Sequence, residues 1–314
     1  MKVHAVFNRD GGTFRTMDMD LFTQAAKDIF EKHGHSFQSE VVAGKDVVKA
    51  LKRVATEAGA HVLMAGGGDG TISAAADIAW KAKVPLAVLP AGTMNLFARA
   101  LKIPLELNAA LESLASGQIE AVDISTANDE SFVHQISIGF QPQMIKFRNT
   151  LTYHSRWGKR LASFRAFLKA MAKPPRFSVR MTIDGFPTER TVSAISVSNN
   201  PYGQTMLPVP DDVNKGELGV YIAGSLTSGT LMKLTLSVIT GSWRRNADVE
   251  EVLAKEVQLH FPHKRRSAKA TIDGELIALP KDVEIKIHAG QLKVLVPLRP
   301  DQEQDRATDA APPL

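Results

Sequence analysis

From residue 3 to residue 89 the chain repeats one alternation, a short apolar and β-branched run followed by a segment of helical period. The runs Val3–Phe7, Phe37–Val42, His61–Ala65 and Leu86–Leu89 predict strands. The segments Asp18–Lys32, Asp46–Glu57 and Thr71–Trp80 predict helices. Strands separated by helices of this length need parallel crossovers, so this part of the chain is expected to form a doubly wound α/β sheet. Ligands of such sheets bind in the loops that follow the carboxyl ends of the strands.

From about Val122 the period changes to two. Phe132–Ile138, Phe177–Ile183, Val192–Val197, Glu217–Ala223, Val257–Phe261, Ala268–Ile272 and Val283–Val296, the last with a turn at Ala289-Gly290, predict an antiparallel β domain. One helix is expected near Arg156–Met171 and another near Ser228–Thr240. The length of 314 residues fits two domains of roughly 100–200 residues each. The expected boundaries are an α/β domain over 1–121, a β domain over 122–299, and a polar, disordered tail over 300–314.

Several chemistries are excluded early. With no cysteine, the chain has no disulfide framework, thiolate nucleophile or Cys-based metal site. The apolar run at the start is too short for a signal peptide, and nothing approaches the ~18 consecutive apolar residues of a membrane span. A cytoplasmic protein is expected. The 38 Lys and Arg against 33 Asp and Glu leave a net charge of only +5, too small to name a partner.

Two loops carry the sharpest signals. Gly66-Gly67-Gly68-Asp69-Gly70-Thr71 lies between the strand His61–Ala65 and the following helix. Glycines let a backbone approach phosphate without Cβ clashes, and a helix start adds unpaired N–H groups and its positive dipole end. Asp69 repels phosphate unless it has other work, such as holding magnesium or taking a proton from a hydroxyl. A tight βα turn is the plainer alternative. The loop is neither a P-loop nor the dinucleotide fingerprint. One strand later, Gly92-Thr93-Met94-Asn95 offers close approach at Gly92 and hydrogen bonds from Thr93 and Asn95 to phosphate or adenine. Further on, Asp273-Gly274-Glu275 follows the run Ala268–Ile272; alone, Asp-Gly is a hairpin signal.

In this order, the motifs resemble the diacylglycerol kinase catalytic domain family, which includes bacterial lipid kinases and the sphingosine and ceramide kinases. The elements that carry the likeness are Asn8 with Gly11 and Gly12, Gly67–Thr71, Gly92–Asn95, Ser137-Ile138-Gly139-Phe140, Asn199–Gly203 and Asp273-Gly274-Glu275. The Gly-Gly-Asp-Gly-Thr string also occurs in NAD kinases and resembles a loop of phosphofructokinases. The resemblance implies a nucleotide-binding α/β domain, a β-sandwich, and an active site in the cleft between them. It implies ATP along Asn8, Gly66–Thr71, Gly92, Thr93 and Asn95, and magnesium as a second cofactor. Glu275 looks like the family's general base on a lipid hydroxyl; sphingosine kinases suggest Asp69 instead, so both stand. Asp69 and Asp273 are the candidates for the nucleotide magnesium.

The chain departs from the family in places. Leu96 follows Asn95 where many members have Asp, and Arg9 follows Asn8 where Pro is usual. In bacterial members the segment at Asp211–Glu217 can hold a structural magnesium. Here Lys215 takes the expected Asp position, and an ammonium would displace the metal by pairing with Asp212 or Glu217.

Between Ser131 and Ile183 lie ten Lys or Arg and no Asp or Glu. Within that stretch Trp157, Leu161, Phe164, Leu168 and Met171 form one apolar helical stripe. Such a helix can lie on an anionic membrane, or simply pack on the sandwich. His263-Lys264-Arg265-Arg266 either extends this basic face or forms an exposed turn. A recognition motif for nucleic acid is missing, and none is expected as a partner. A monomer and a homodimer both stay open. The expected activity is ATP- and magnesium-dependent phosphorylation of a lipid hydroxyl, with diacylglycerol the family default. A soluble alcohol or dinucleotide acceptor, and a non-catalytic nucleotide- or lipid-binding protein, are the alternatives.

Overall fold

A computed structural model describes residues 1–56, 59–140, 142, 174–204, 207–239 and 248–298. The basic amphipathic segment 156–171 and the tail 300–314 lie outside the described residues. The chain divides into two compact units, Met1–Val122 with the stretch from Gly290 onward, and Asp123–Ala289.

In the first unit, β1 (Lys2–Asn8), β2 (Ser36–Val42), β3 (Val62–Gly67) and β4 (Leu86–Pro90) form a parallel sheet in the order β2-β1-β3-β4. Every residue of β3 and β4 is buried, as expected of central strands covered on both faces. The covering helices are α1 (Met19–Lys32), α2 (Val47–Thr56), α3 (Asp69–Ala82), the short α4 (Leu96–Ala100) and α5 (Leu107–Ala115). Helix α1 starts where Asp18 caps it, its carboxylate accepting the N–H groups of Asp20 and Leu21. It buries Phe22, Ala26 and Phe30 at helical spacing. The rings of Phe7, Phe14 and Phe22 pack with centroids 5.4–5.6 Å apart. Each such fully buried ring or aliphatic chain contributes about 1.5–3 kcal/mol.

The second unit is a β-sandwich. One antiparallel sheet runs β12 (Val249–Ala254), β11 (Leu218–Ala223), β10 (Ala194–Ser198), β7 (Gln135–Gly139), β14 (Lys269–Ile272), β15 (Glu275–Ala278). The other sets the first part of β16 (Asp282–Val296) beside β13 (Glu256–His260), β8 (Phe177–Ile183) and β9 (Phe186–Val192). Strand β5 (Gln118–Ala127) pairs with β16 and with β6 (Glu130–Phe132). Ile136, Val197 and Val220 of the first sheet share one core with Val179, Leu259 and Ile285 of the second. Helix α6 (Ser228–Ile239) follows β11.

Beyond elements that the sequence left unassigned, such as α5 and β12, three details differ from the expectations. Ala289-Gly290 is not a hairpin turn. β16 runs through it, with Gly290 at φ +64°, and Val294 and Leu295 then pair in parallel with Leu86 and Ala87 of β4. The residues from Gly290 therefore belong to the first unit rather than to a domain spanning 122–299. An interior glycine marks a backbone irregularity here, not a chain reversal. Secondly, Phe132–Ile138 is two strands, broken at Val133-His134. Thirdly, β9 pairs with β8 as a hairpin turning at Asp184-Gly185, both at positive φ. As an edge strand with one buried residue, it shows no apolar alternation.

Candidate functional site

Three loops leave the carboxyl ends of β1, β3 and β4 in the first unit, and hydrogen bonds tie them together. Asn8 ends β1; its Nδ2 donates to Thr71 Oγ1 (3.0 Å) and its Oδ1 accepts the N–H of Asp10 (3.0 Å). Asp10 in turn accepts the N–H of Gly44 through Oδ2 at 2.7 Å. The N–H of Thr13 donates to the carbonyl of Ala91 (2.9 Å), joining the first loop to the third. Gly12 allows this contact, since a Cβ there would sit 2.1 Å from the Ala91 oxygen.

Asp69 joins the second loop to the third. Its Oδ1 accepts the N–H of Leu96 (2.7 Å) and its Oδ2 that of Asn95 (3.1 Å), so it caps α4 from 26–27 residues away. Asn95 sits in the left-handed region (φ +51°). Its amide closes the loop internally, accepting from Gly92 N–H (2.8 Å) and donating to Gly92 O (3.0 Å). Asn95, expected to reach a ligand, thus braces its own turn. Thr93 and Met94 are exposed at the tip.

With Asp69 turned to α4, the start of α3 is left to backbone alone. Gly68 is its N-cap and has no side chain to cap with, and the first N–H groups of a helix have no acceptor within it. Gly67 is hemmed in, its would-be Cβ 2.7 Å from the Thr71 side chain. Gly68 differs, for its nearest neighbour is Gly92 Cα at 3.8 Å. A helix start with no side-chain cap, at a glycine that the protein's own packing does not crowd, suits a phosphate chain.

In the second unit Asp273 and Gly274, at φ +46° and +87°, make the turn between β14 and β15. The Asp273 carboxylate accepts three backbone N–H groups, those of Val133, His134 and Gln135, at 2.9–3.0 Å. This clamp breaks the run Phe132–Ile138 into two strands. Glu275 is exposed at the start of β15, and among the described residues its carboxylate has no hydrogen-bond partner. The two acids of this motif therefore have different standing, one engaged by backbone amides and one exposed without a hydrogen-bond partner among the described residues.

Behind the clamp lies a buried polar network that takes in Asn199, Asn200 and Tyr202 of the segment Asn199–Gly203, with bonding that the sequence did not show. Tyr202 O–H and Ser196 O–H both donate to Gln135 Oε1, the latter at 2.7 Å. Tyr221 stacks on Tyr202 (4.7 Å between centroids) and its oxygen accepts the Tyr202 N–H at 2.8 Å. Burial, with Tyr221 alongside, pushes the Tyr202 phenol upward, so it stays a donor. The Asn199-Asn200 pair holds the buried Asp123. Asn200 Nδ2 and Gly216 N–H both donate to its Oδ2 at 2.7 Å, and Asn199 Nδ2 donates to its backbone oxygen at 2.9 Å. A lone aspartate inside the apolar run Val122–Ile124 was the available signal.

The residues expected around a structural magnesium are arranged otherwise. Asp212 Oδ1 accepts the N–H of Asn214 (3.0 Å), and among the described residues no ion pair joins Lys215 to Asp212 or Glu217. No group of three or more His, Asp or Glu able to hold a metal occurs among the described residues. With Asp69 and Asp273 committed to backbone amides, the donors do not fit a protein-built magnesium cage.

Comparison with known proteins bears on the two units. Residues 2–127 match the diacylglycerol kinase catalytic domain, and residues 136–296 match the YegS C-terminal NAD kinase beta sandwich-like domain. This chain belongs to the diacylglycerol kinase catalytic domain family. A Staphylococcus epidermidis protein named "Putative lipid kinase" is 24% identical over 260 residues, covering 80% of this chain and 82% of that one. An uncharacterized protein of Synechocystis sp. is 26% identical over 266 residues, 81% of this chain but only 60% of the relative's length. A crystal structure described as a diacylglycerol kinase from Bacillus anthracis str. Sterne has the same fold. Its TM-score is 0.68 at 17% identity, with 96% of this chain and 98% of that chain covered. Another, described as "a putative diacylglycerol kinase" of the same strain, gives a TM-score of 0.74 at 18% identity over 96% of both. The family is thus kinase-like, and the α/β unit and sandwich read from the sequence are the family's fold. Among the described residues no helix is long and apolar enough to cross a membrane.

Proposed function

We propose that this member of the family is an ATP-dependent lipid kinase that moves the γ-phosphate to the hydroxyl of diacylglycerol or a related lipid. The observation that carries the reading is the α3 start, whose N-cap Gly68 supplies no side-chain acceptor, framed by three mutually bonded loops. The nucleotide phosphates take the α3 N–H groups there. Magnesium bound with the nucleotide would supply charge neutralisation on the phosphates, and no carboxylate of this chain is assigned to it. The lipid oxygen forms a bond to the γ-phosphorus as the bond to the β,γ-bridging oxygen breaks, and ADP leaves. Glu275 accepts the hydroxyl proton, being the acid of the Asp-Gly-Glu motif without a structural partner among the described residues. Asp69 acts on this reading as a positioning residue rather than a base.

The test is transfer of labelled γ-phosphate from ATP–magnesium to a lipid panel in anionic vesicles. The intact protein is expected to label one lipid class, and Glu275→Ala to lower kcat by about 10²–10⁴-fold. Full activity in Glu275→Ala would remove that residue from the mechanism. A second reading, nucleotide binding without transfer, draws on the commitment of Asp69 to backbone amides. It predicts measurable ATP binding and no labelled lipid.

A further inference from the structure

Glu275 stands two residues beyond Asp273, across the turn that joins β14 to β15. Packing does little for that turn, since a Cβ at Gly274 would have nothing within 4 Å. Hydrogen bonds hold it instead, and Gln135 of the neighbouring strand β7 makes several of them. Its backbone meets Asp273 twice: the N–H donates to Asp273 Oδ1 and the carbonyl accepts the Asp273 N–H, both at 2.9 Å. Its side chain is engaged as well. The Oε1 accepts the O–H of Ser196 at 2.7 Å and that of Tyr202, which uses both lone pairs of an amide oxygen. Tyr202 is itself fixed, buried and stacked on Tyr221, with its N–H on the Tyr221 oxygen at 2.8 Å.

We infer that Gln135, held by Tyr202 and Ser196, is a positioning residue that sets where the Glu275 carboxylate stands for proton transfer. The inference rests on Glu275 being the base proposed above. A buried phenol needs an acceptor, and a neutral amide oxygen provides one without a second negative charge beside Asp273. Two donors on one oxygen restrict the rotation of the side chain and tie the start of β7 to the buried tyrosine pair. Asp273 is bonded to Gln135 in both directions, so a shift of Gln135 passes to the turn and on to Glu275. A base must come within about 2.6–3.2 Å of the proton it takes, and a misplacement of about 1 Å can cost about 10²-fold in rate. The network thus does more than satisfy a buried hydroxyl, because its far end carries the proposed base.

The test is a double-mutant cycle on the full chain, read as transfer of labelled γ-phosphate from ATP–magnesium to a lipid panel in anionic vesicles. Gln135→Met keeps the length of the side chain but has no acceptor oxygen, and Tyr202→Phe removes only the hydroxyl. Gln135→Met is expected to lower kcat about tenfold or more and Tyr202→Phe by less, each with KM for ATP within about twofold of the parent. In the Glu275→Ala background neither should slow transfer further, since a residue that acts through Glu275 then has nothing to place. A residue that only stabilises the fold would slow both backgrounds alike. Tyr202→Phe keeps the ring stack and decides the matter if Gln135→Met melts below the assay temperature. Parental kcat in these variants, or equal losses with and without Glu275, would overturn the inference and leave Glu275 as the base. Full activity in Glu275→Ala, or no labelled lipid from the intact protein, would overturn the base and this inference with it.

Discussion

Replacing Asp69 by alanine separates its two conceivable roles, clamp and base. In the structure its carboxylate takes two N–H groups, from Leu96 at 2.7 Å and Asn95 at 3.1 Å, at the start of a five-residue helix. Removing a capping carboxylate costs about 0.5–2 kcal/mol, and hydrogen bonds to charged groups fall at the upper end. The site is half-buried, so water partly replaces the lost acceptor, and about 1–2 kcal/mol is expected. For a protein of this size that lowers Tm by about 1.5–3 °C. The assay is thermal unfolding followed by circular dichroism, with hydrogen exchange read at the amides of Asn95 and Leu96. Both amides should exchange faster in Asp69→Ala, and Asp69→Asn, with one acceptor oxygen left, should fall between. A Tm within 1 °C of the parent together with unchanged protection of both amides would refute the clamp and return Asp69 to the ligand.

The other substitutions probe neighbouring claims. Gly68→Ala should leave Tm unchanged while weakening ATP binding at least tenfold, because its Cβ meets only Gly92 Cα at 3.8 Å; equilibrium binding with a fluorescent nucleotide reads this. Asp273→Ala strips three backbone amides of their acceptor and should cost about 3 kcal/mol in urea unfolding, more than Asp69→Ala. His288, whose ring shares a hydrogen bond with Thr126 Oγ1 at 3.0 Å, is pushed below its ordinary value by burial and then by Lys286. The folded state therefore resists protonating it. Stability is unaffected above about pH 6.5 and is lost as pH falls below that, where the unfolded chain takes up the proton first. His288→Gln should flatten the fall in urea midpoint between pH 7 and 5.5.

Much of the fold was legible because burial and period coincide. β3 and β4 are buried at every residue and read as continuous apolar runs, and α1 buries Phe22, Ala26 and Phe30 at helical spacing. Where an element owes its place to polar or distant partners, the period says nothing. β9 is an edge strand whose companion signal, Asp184-Gly185, is turn chemistry rather than hydrophobicity. The break at Val133-His134 is imposed by Asp273 from about 140 residues away. The site was legible as a set of residue types but not as roles. Asp69, Asn95 and Asp273 read as ligand groups because carboxylates and amides serve ligands and backbone equally well. Only the partner at the other end of each hydrogen bond decides between them.

The glycines show the same division most sharply. Gly12 and Gly92 are fixed by the protein itself, since a Cβ would sit 2.1 Å from Ala91 O in one case and 2.7 Å from Gly68 Cα in the other. They let the loops touch. Gly68 is not so constrained, since a Cβ there would meet Gly92 Cα at an ordinary 3.8 Å. A glycine-rich motif thus mixes residues that assemble a site with residues that packing does not require, and counting them cannot tell the two apart. The assembling set has a functional consequence of its own. Asn8 on Thr71, Thr13 on Ala91 and Asp69 on Leu96 fix all three loops to one another through the protein's own hydrogen bonds. Ordering these loops is then a cost of folding, and on the proposed function a nucleotide would meet donors already in place. Loosening any one of these ties should weaken nucleotide binding without touching a group that contacts the phosphates. On the proposed function the clamp residues act by holding the loops, and none of them is assigned to the chemistry.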